Sequence, residues 1–376
     1  MQITVKRETL VKNVQSTLGI VDKRGVMPIL AHCLVKAENG QISISATDLE
    51  VSYRGSLEAE VKEEGAFTVQ AHTFASVLKT LPEATLTLNA GNGHVTLEAG
   101  ESRYKFNTID PDQFPLVPEP DEAVMVSIES KPLLEMIEQT AFSVSADHYN
   151  YFLSGIFWEK LEYDGETYLR LVSTDGHRLS VSERPMPEVA RLDLGGGILV
   201  PIKAVVEIAR FLKENAKEAT VLVGVKDKAL HLLARWSGEH FSVRLVEKRF
   251  PDYRRIIPQQ QHEHGFIFNR QELAGALKRL SLLSNERFKG VVFDLELSHA
   301  FLSHENPEVG QGKEAVQAVF HADQPLKLGF NARYVLDALD AIKGDEVAMD
   351  VMGPGRPVRF WGDDGNSFFL VMPMTL

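Results

Sequence analysis

One helical pattern occurs three times along the chain, and this repetition constrains the fold more than any other feature. In each copy, apolar residues recur three and four positions apart, which is typical of a helix with one buried face. The three copies are residues 7–14, 130–137 and 270–277. The sequence therefore predicts three similar units, each with a helix near its start.

Other elements repeat with the same spacing. A second helix recurs where a strand ends, at residues 69–81, 200–212 and 330–339. Alternating apolar and polar residues predict strands around these helices, with hairpin turns at residues 91–93, 226–228 and 353–355. Two polar stretches without periodicity, residues 118–121 and 259–262, are typical of linkers.

These patterns predict an α+β fold of three similar domains. Each domain is expected to pack two helices on an antiparallel sheet. The predicted boundaries place the domains at residues 1–120, 121–258 and 259–376.

The composition is that of a soluble globular protein, with 44% apolar and 24% charged residues. No run of eighteen apolar residues occurs, so no membrane span is predicted. The N-terminus lacks a signal-peptide core, and the single cysteine, Cys33, excludes an internal disulfide and a cysteine-based zinc site. A cytoplasmic protein is therefore predicted. The His and Asp positions lack the spacing of metal ligands, so neither a metal nor a cofactor is expected.

The formal net charge of −12 argues against tight binding of nucleic acid by the surface as a whole, because phosphate neutralisation dominates such affinity. The argument applies to the average charge. An acidic protein can still present one basic face.

The densest group of functional side chains is Thr174–Arg178, which lies between two short strand-like runs. Its Thr174-Asp175 pair recurs as Thr47-Asp48 in the first third, so the pair is expected to belong to the fold. The following Gly176, His177 and Arg178 have no counterpart there and are interpreted as a polar insertion. From the residues alone, the simplest interpretation is a polar turn in which Arg178 binds a nearby carboxylate. A catalytic Asp175–His177 pair is an alternative, although no nucleophile accompanies it.

Along its whole length the chain resembles the bacterial sliding clamps, the β subunits of DNA polymerase III. The motifs that carry the resemblance are residues 27–30, 46–50, 151–155, 174–179, 249–255, 283–290 and 371–374. Each motif is weak alone, but together and in this order over a threefold repeat they are specific.

The resemblance implies the DNA clamp fold, in which each chain forms half of a closed ring. Such homodimeric rings encircle double-stranded DNA without sequence preference and confer processivity on the replicative polymerase, with no catalysis of their own. Because topological linkage replaces tight phosphate binding, an acidic chain is compatible with this role. The implied partners are the polymerase, the clamp loader, repair polymerases and other proteins with short clamp-binding motifs.

The resemblance also implies a hydrophobic groove that binds these short motifs. Methionines there can adapt to varied apolar side chains, and His177 and Arg178 can offer donors to a peptide. Thr375 stands where the family commonly has a basic residue. The groove residues implied are Leu153, Thr174, Gly176, His177, Arg178, Leu179, Pro251, Arg255, Ile256, Tyr334, Val371, Met372, Pro373, Met374 and Leu376.

Two further surfaces follow from the resemblance. The residues expected to touch DNA are Arg24, Tyr151, Phe152, Lys12, Lys79, Lys203, Arg210 and Arg279. The residues expected at the dimer interface are Arg103, Tyr104, Phe106, Leu282 and Leu283, with Arg103 and Lys105 pairing with acidic residues such as Glu296 or Glu305. Two other functions are kept as alternatives: a hydrolase that uses Asp175 and His177, and a three-domain scaffold that does not bind DNA.

Overall fold

The computed structural model describes residues 1–22, 25–147, 151–217, 219–235, 237–257, 264–285, 289–296, 299–320, 325–351, 353 and 355–375. The chain packs into two compact units. The first consists of Met1–Leu133, Glu188–Leu194 and Val206–Leu245, and the second of Leu134–Pro187, Gly195–Val205 and Val246–Leu376. Within the described ranges, no helix is both long and apolar enough to cross a membrane.

The first repeat contains nine strands and two helices among its described residues. They are β1 (Gln2–Lys6), α1 (Arg7–Thr17), β2 (His32–Glu38), β3 (Gln41–Thr47), β4 (Val51–Leu57), β5 (Glu60–Glu63), β6 (Gly65–Gln70), α2 (Ala71–Thr80), β7 (Thr85–Gly91), β8 (His94–Ala99) and β9 (Ser102–Asn107).

Among their described residues, the second and third repeats follow the same order of elements without a counterpart of β5. The second has β10 (Met125–Glu129), α3 (Ser130–Ala141), β11 (Gly155–Tyr163), β12 (Glu166–Thr174), β13 (Arg178–Pro185), β14 (Ile198–Pro201), α4 (Ile202–Glu214), β15 (Thr220–Lys226), β16 (Ala229–Ala234) and β17 (Glu239–Arg244). The third has β18 (His264–Asn269), α5 (Arg270–Ser281), β19 (Gly290–Leu295), β20 (His299–Asn306), β21 (Gly310–Phe320), β22 (Leu326–Asn331), α6 (Ala332–Ala341), β23 (Glu346–Val351), β24 (Val358–Trp361) and β25 (Ser367–Val371).

The six predicted helices are confirmed, and each begins directly after a strand. Polar residues at the strand ends cap several of them. The Asn269 side chain accepts a hydrogen bond from the Glu272 amide at 3.0 Å, and the Asn331 side chain accepts one from the Arg333 amide at 3.1 Å. These caps satisfy amides that a helix leaves unbonded in its first turn, so the change from strand to helix is encoded locally.

The strands form three antiparallel sheets, each contained in one unit. In the first unit, the five-stranded order is β5-β1-β7-β8-β9 and the eight-stranded order is β10-β15-β16-β17-β4-β3-β2-β6. In the second unit, a twelve-stranded sheet has the order β14-β11-β12-β13-β25-β24-β23-β18-β21-β20-β19-β22.

Two of these sheets run from one repeat into the next, which the repeat pattern does not predict. Strand β4 of the first repeat pairs with β17 of the second, with Tyr53 opposite Phe241. Strand β13 of the second repeat pairs with β25 of the third, with Ser180 opposite Phe369. The last strand of a repeat thus covers an edge of the repeat before it, so that neither edge is left exposed.

A buried histidine pair lies within the eight-stranded sheet. His231 on β16 and His240 on β17 are 5% and 3% exposed, and Nδ1 of His231 lies 3.2 Å from Nε2 of His240. Burial, His231 and Arg54 together lower the pKa of His240 to about 3. Burial is also the main cause of the lowered pKa of His231. Both rings are therefore neutral near neutral pH.

This pair predicts acid sensitivity. Since the unfolded chain binds a proton at His240 near pH 6.5 and the folded chain does not, the free energy of unfolding falls as the pH drops below 6.5. At pH 5 the loss is about 2 kcal/mol for His240. Urea unfolding at pH 5 and 7 measures it. The His240→Gln variant should lose this part of the pH dependence, whereas His94→Gln should keep it; equal slopes in both variants would contradict the assignment.

Candidate functional site

The Thr174–Arg178 turn joins β12 to β13 and is held by its own side chains. The Thr174 hydroxyl donates to the Arg178 carbonyl at 2.6 Å and accepts from the Gly176 amide at 3.1 Å. One oxygen of Asp175 accepts from the amides of His177 and Arg178 at 3.0 and 3.1 Å. Gly176 has φ +89°, a conformation that glycine adopts without strain.

The first repeat contains the same turn with the same length. The Thr47 hydroxyl accepts from the Leu49 amide at 3.0 Å, and Asp48 accepts from the Glu50 and Val51 amides at 3.0 and 2.7 Å. Leu49 takes the place of the glycine, with φ +77°. The interpretation of Gly176–Arg178 as an insertion is therefore corrected: the two turns differ in their side chains and not in length.

Arg178 connects this turn to two helices. Its Nε donates to Asp175 at 3.0 Å, and one terminal nitrogen donates to Asp337 of α6 at 2.5 Å. The other terminal nitrogen donates to the Phe142 carbonyl, just beyond α3. The guanidinium carbon lies 4.5 Å from the centroid of the Tyr334 ring, within the range of a cation–π contact. The side chain of Arg178 is only 9% exposed. Its guanidinium therefore holds the turn to its neighbours and does not offer donors to a bound peptide.

His177 and Tyr334 form the outer part of the same site. Their ring centroids lie 6.3 Å apart with nearly parallel planes. Burial and then the Asp175 carboxylate raise the pKa of Tyr334. A cleft of about 430 Å³ lies against Arg178 and Tyr334 and is also lined by Lys289, Asn331 and Arg333.

The C-terminal segment crosses this site after β25. The Met372 amide donates to the His177 carbonyl at 2.9 Å, and the Met374 amide donates to the Gly329 carbonyl of β22 at 2.7 Å. Val371 is buried, while Met372 and Met374 are 36% and 44% exposed. Met372 therefore offers an accessible, adaptable apolar side chain next to His177, and Met374 offers one beside Gly290.

A buried apolar cluster lies next to the Thr174–Arg178 turn and includes Leu179, which follows the turn directly. Its buried members are Leu153, Val172, Leu179, Val181, Leu199, Phe250, Tyr253 and Leu370. The chain then turns outward, so that Ile256 is 45% exposed and Arg255 forms a 2.8 Å ion pair with Asp252 at the surface.

The predicted groove residues thus come from five separate segments of the second unit. Leu153 and Leu179 lie in one cluster with Phe250, next to Pro251, and the Thr174–Arg178 turn contacts both Tyr334 and the C-terminal segment. Leu376 lies outside the described residues. Asp337 and the Phe142 carbonyl, which hold Arg178, were missed by the sequence analysis. The one available signal is that Asp337 lies three positions after Tyr334, on the same face of α6.

The Asp175–His177 pair has no catalytic geometry. Both oxygens of Asp175 are engaged by backbone amides of the turn and by Arg178. Within the described ranges, no three His, Cys, Asp or Glu side chains are close enough to hold a metal ion.

The basic residues predicted to face DNA have varied surroundings. Lys79 and Lys203 are exposed. Lys12 is half exposed, with its ammonium 3.8 Å from Glu239. Arg210 and Arg279 are bound to carboxylates, including those of Glu207 at 2.9 Å and Glu314 at 2.8 Å respectively. Contact with phosphate by either arginine would have to compete with these ion pairs.

The remaining predicted contacts are aromatic or apolar. Tyr151 and Phe152 are 63% and 41% exposed in a short turn before β11, and Arg24 lies outside the described residues. Leu282, at the end of α5, is 82% exposed, and Leu283 is half-buried. On β9, Tyr104 is 39% exposed, and Phe106 packs edge-to-face on Phe74 of α2 with centroids 5.4 Å apart. Arg103 is exposed beside Glu98.

Family models match the chain in three consecutive parts. The N-terminal, central and C-terminal domains of the DNA polymerase III beta subunit match residues 1–118, 127–252 and 254–375. Two curated relatives named Beta sliding clamp match over 100% of both chains, with 32% identity in Vibrio cholerae serotype O1 and 30% identity in Escherichia coli K12.

Solved structures match over the full chain as well. A β sliding clamp of Caulobacter crescentus with bound polyethylene glycol has a TM-score of 0.92 at 27% identity, covering 100% of this chain and 99% of that one. A sliding clamp of Bartonella birtlesii bound to griselimycin has a TM-score of 0.92 at 28% identity, covering 100% of both chains.

Proposed function

The chain belongs to the DNA polymerase III beta subunit family, the sliding clamps, and we propose that two copies of it close into a ring around double-stranded DNA. In this role each chain contributes three domains, at residues 1–120, 121–258 and 259–376, and forms half of the ring. The ring slides on DNA and confers processivity on a replicative polymerase. The family is non-catalytic, which agrees with the use of Asp175 within its own turn.

The observation that carries the proposal is the pairing of strands between repeats. Strand β4 pairs with β17, and β13 pairs with β25. The next pair in this series would join the corresponding strand of the third repeat, β21, to the last strand of the first repeat, β9. Among the described residues, β9 pairs with β8 alone, and residues 310–317 of β21 pair with β20 alone. Two copies can satisfy both edges, because β9 of each covers β21 of the other.

The internal pairs also predict the register of this interface on the β9 side. Leu232 lies opposite Phe241, and Phe360 lies opposite Phe369. In the first repeat, Leu97 lies opposite Tyr104. Tyr104 is therefore equivalent to Phe241 and Phe369, each of which pairs with a strand of the preceding repeat.

The β21 side follows in the same way. Leu302 lies opposite Glu314, as Leu171 lies opposite Ser182. Gly312 is then the equivalent of Ser180, so the predicted interface places Tyr104 opposite Gly312 and Phe106 opposite Gly310. Glycines leave room for the partner's aromatic rings, and Leu282 and Leu283 can complete the apolar contact.

This register also indicates which of the two acidic residues, Glu296 or Glu305, lies nearer to Lys105. It places Lys105 opposite Gln311, whose other neighbour across the sheet is Glu305. Arg103 already lies near Glu98. We therefore favour Glu305 over Glu296 as the carboxylate that faces Lys105, since Glu296 lies at the far end of β20.

The site around His177 supplies the second part of the function. The exposed apolar side chains of Met372, Met374 and Ile256, together with the Tyr334 ring, suit a short apolar peptide segment. We propose that a replicative polymerase, a clamp loader and repair polymerases bind there. Solved clamps of Bartonella birtlesii and Pseudomonas aeruginosa are bound to griselimycin, and we propose that this compound binds the groove of this protein.

The lining predicted to face DNA consists of Lys12, Lys79, Lys203, Arg210 and Arg279, with Arg24, Tyr151 and Phe152 at loops. Because several of these cations are paired with carboxylates, contacts with phosphate would be weak. Weak, salt-screened contacts suit a ring that slides.

A paired-cysteine experiment tests the ring and its register. In the predicted register Arg103 of one copy lies opposite Lys313 of the other, with β carbons about 5 Å apart. Oxidised Arg103→Cys/Lys313→Cys protein should form covalent dimers. The matched control Arg103→Cys/Gln311→Cys offers only a diagonal pair and should link poorly.

The same linked protein tests the topology. After oxidation in the presence of a nicked circular plasmid, it should stay with the circle at high salt, which screens electrostatic binding, and leave after linearisation. Equal retention on circular and linear DNA would contradict encirclement. Linked dimers that never stay with the circle would favour the scaffold without DNA binding.

A further inference from the structure

A pocket of about 380 Å³ lies in the first unit, between the end of β9 and the start of α2. None of its lining residues belongs to the candidate groove. The lining residues that bear on its role are His32, Gln70, Thr73, Phe106, Asn107 and Ile109.

The start of α2 gives the pocket the same place in the first repeat that the groove has in the third. Thr73 is the third residue of α2, and the groove residue Tyr334 is the third residue of α6. Gln70 caps α2 by accepting from the Thr73 amide at 2.6 Å, and Asn331 caps α6 by accepting from an amide of its first turn. Thr73 therefore corresponds to Tyr334.

The segment after the last strand supports the same correspondence. The Ile109 amide donates to the Thr68 hydroxyl at 3.0 Å, and the Met374 amide donates to the Gly329 carbonyl at 2.7 Å. Thr68 and Gly329 each lie two residues before the capping residue of the following helix. Ile109 therefore corresponds to Met374.

In the groove, a turn of the preceding repeat completes the site. The Met372 amide donates to the His177 carbonyl at 2.9 Å, and the His177 ring lies 6.3 Å from the Tyr334 ring. The junction between the first and second repeats has the same hydrogen bond, from the Arg244 amide to the Glu50 carbonyl at 2.7 Å. Both junctions therefore hold a turn of one repeat against the end of the last strand of the next.

Strand β9 has the corresponding position but no such turn bonded to it within the described chain. Asn107 lies two residues before Ile109, as Met372 lies two residues before Met374. Among the described residues, β9 pairs with β8 alone. The edge of β9 that would receive a turn is therefore uncovered by strands of the same chain.

The matching turn lies between β20 and β21, at residues 306–310. The Asn306 side chain accepts from the Glu308 amide at 3.0 Å, as the Thr174 hydroxyl accepts from the Gly176 amide at 3.1 Å. The two turns thus begin with the same local hydrogen bond, which a side chain forms with the amide two residues later.

Val309 is the residue of this turn that corresponds to His177. The register that makes Gly312 equivalent to Ser180 implies it, because each residue lies three positions earlier. Val309 is 59% exposed in the single chain. Its apolar side chain is therefore available to enter a pocket of another copy.

Resting on the proposed ring, we infer that the turn at residues 306–310 of a second copy fills this pocket. Val309 lies against Thr73, and the Asn107 amide donates to the Val309 carbonyl. Thr73 is smaller than Tyr334, which leaves room for the valine. At the junction between copies, the position of the groove is thus occupied by the protein itself and is not open to a peptide.

A charge on the turn tests this contact. The Val309→Asp substitution should lower dimer affinity by about tenfold or more, because the carboxylate would lose its water inside the pocket. Val309 is exposed in the single chain, so the variant is expected to fold. Sedimentation velocity over a range of concentrations measures the affinity. The matched control is Val206→Asp, at an exposed valine of α4, which should dimerise like the unaltered protein.

The pocket is tested from its own side by Thr73→Trp. Thr73 is exposed, so the indole can be accommodated in the monomer, but it takes the space of the second copy's turn. Dimer affinity should again fall by about tenfold or more. Thr85→Trp, at an exposed threonine of β7 outside the pocket, should leave it unchanged.

Chemical modification locates the covered surface. His32 lines the pocket, so its reaction with diethyl pyrocarbonate should be slower by about fivefold or more in the oxidised Arg103→Cys/Lys313→Cys dimer than in the Leu282→Lys monomer. The exposed His177 should react equally in both. Undiminished dimer affinity in Val309→Asp or Thr73→Trp, or equal reaction of His32 in dimer and monomer, would overturn this inference and leave the ring standing. Absence of dimers from the unaltered protein would overturn both.

Discussion

Replacing Arg178 by alanine is expected to lower both the stability of the protein and its affinity for griselimycin. Arg178 is nearly buried and binds Asp175, Asp337 and the Phe142 carbonyl while stacking on Tyr334. Its loss leaves two carboxylates without their cation, which costs about 3–5 kcal/mol when such a pair is buried. We expect a cost near the lower end of this range, because Asp337 is partly exposed.

The loss of affinity has a separate cause. Without Arg178, the Tyr334 ring loses the guanidinium that lies against it, and the Thr174–Arg178 turn loses its hydrogen bond to Asp337. Part of the binding free energy must then be spent on ordering these groups. We expect a decrease in affinity of roughly 10- to 100-fold. Calorimetric titration with griselimycin and urea unfolding measure the two effects.

The control is Arg235→Ala, which removes an exposed arginine whose partner is Glu122 at 2.8 Å. It should change stability by less than about 1 kcal/mol and leave griselimycin binding unchanged. Arg178→Lys keeps the charge but not the planar fork, so it should recover only part of the affinity. If Arg178→Ala bound griselimycin as tightly as the unaltered protein, Arg178 would have no positioning role.

Replacing Leu282 by lysine is expected to separate the dimer into monomers. Leu282 is 82% exposed in the single chain, so the substitution buries no charge there. A cation at the end of α5 is also compatible with the helix dipole. In the predicted interface, however, the lysine would replace an apolar contact with a desolvated charge, and we expect dimer affinity to fall by about 100-fold or more.

Sedimentation velocity over a range of protein concentrations measures this change, and thermal unfolding of the dilute protein checks that the monomer is intact. Val206→Lys is the matched control, because Val206 is an exposed apolar residue of α4 outside the predicted interface. Dimers of undiminished affinity in Leu282→Lys would place the interface elsewhere.

Local features of the fold could be predicted because they depend on neighbouring residues. The apolar spacing of α1, α3 and α5 identified these helices, and Asn269 and Asn331 provide caps where strands end. The turn around Thr47-Asp48 recurred around Thr174-Asp175 because each side chain bonds amides two or three residues later. Such hydrogen bonds need no contribution from distant parts of the chain.

The continuity of the sheets could not be predicted in this way. Strand β13 pairs with β25, which lies nearly two hundred residues later in the chain. The pairing uses hydrogen bonds of backbone groups that nearly every residue carries. No side-chain pattern specifies which edge is covered by which strand. For the same reason, the equivalence of Tyr104 with Phe241 and Phe369 became visible only from the strand register.

The sequence by itself determined the threefold α+β repeat, the positions of its helices and most of its strands, and membership of a family through motifs spread over the whole chain. The tertiary structure decided what the side chains of Thr174–Arg178 do. It showed that Arg178 is occupied by Asp337 and Phe142, and that Met372 lies beside His177. The physical reason is that periodicity and capping depend on residues within one or two helical turns, whereas burial, ion pairing and cavity formation depend on groups that only folding brings together.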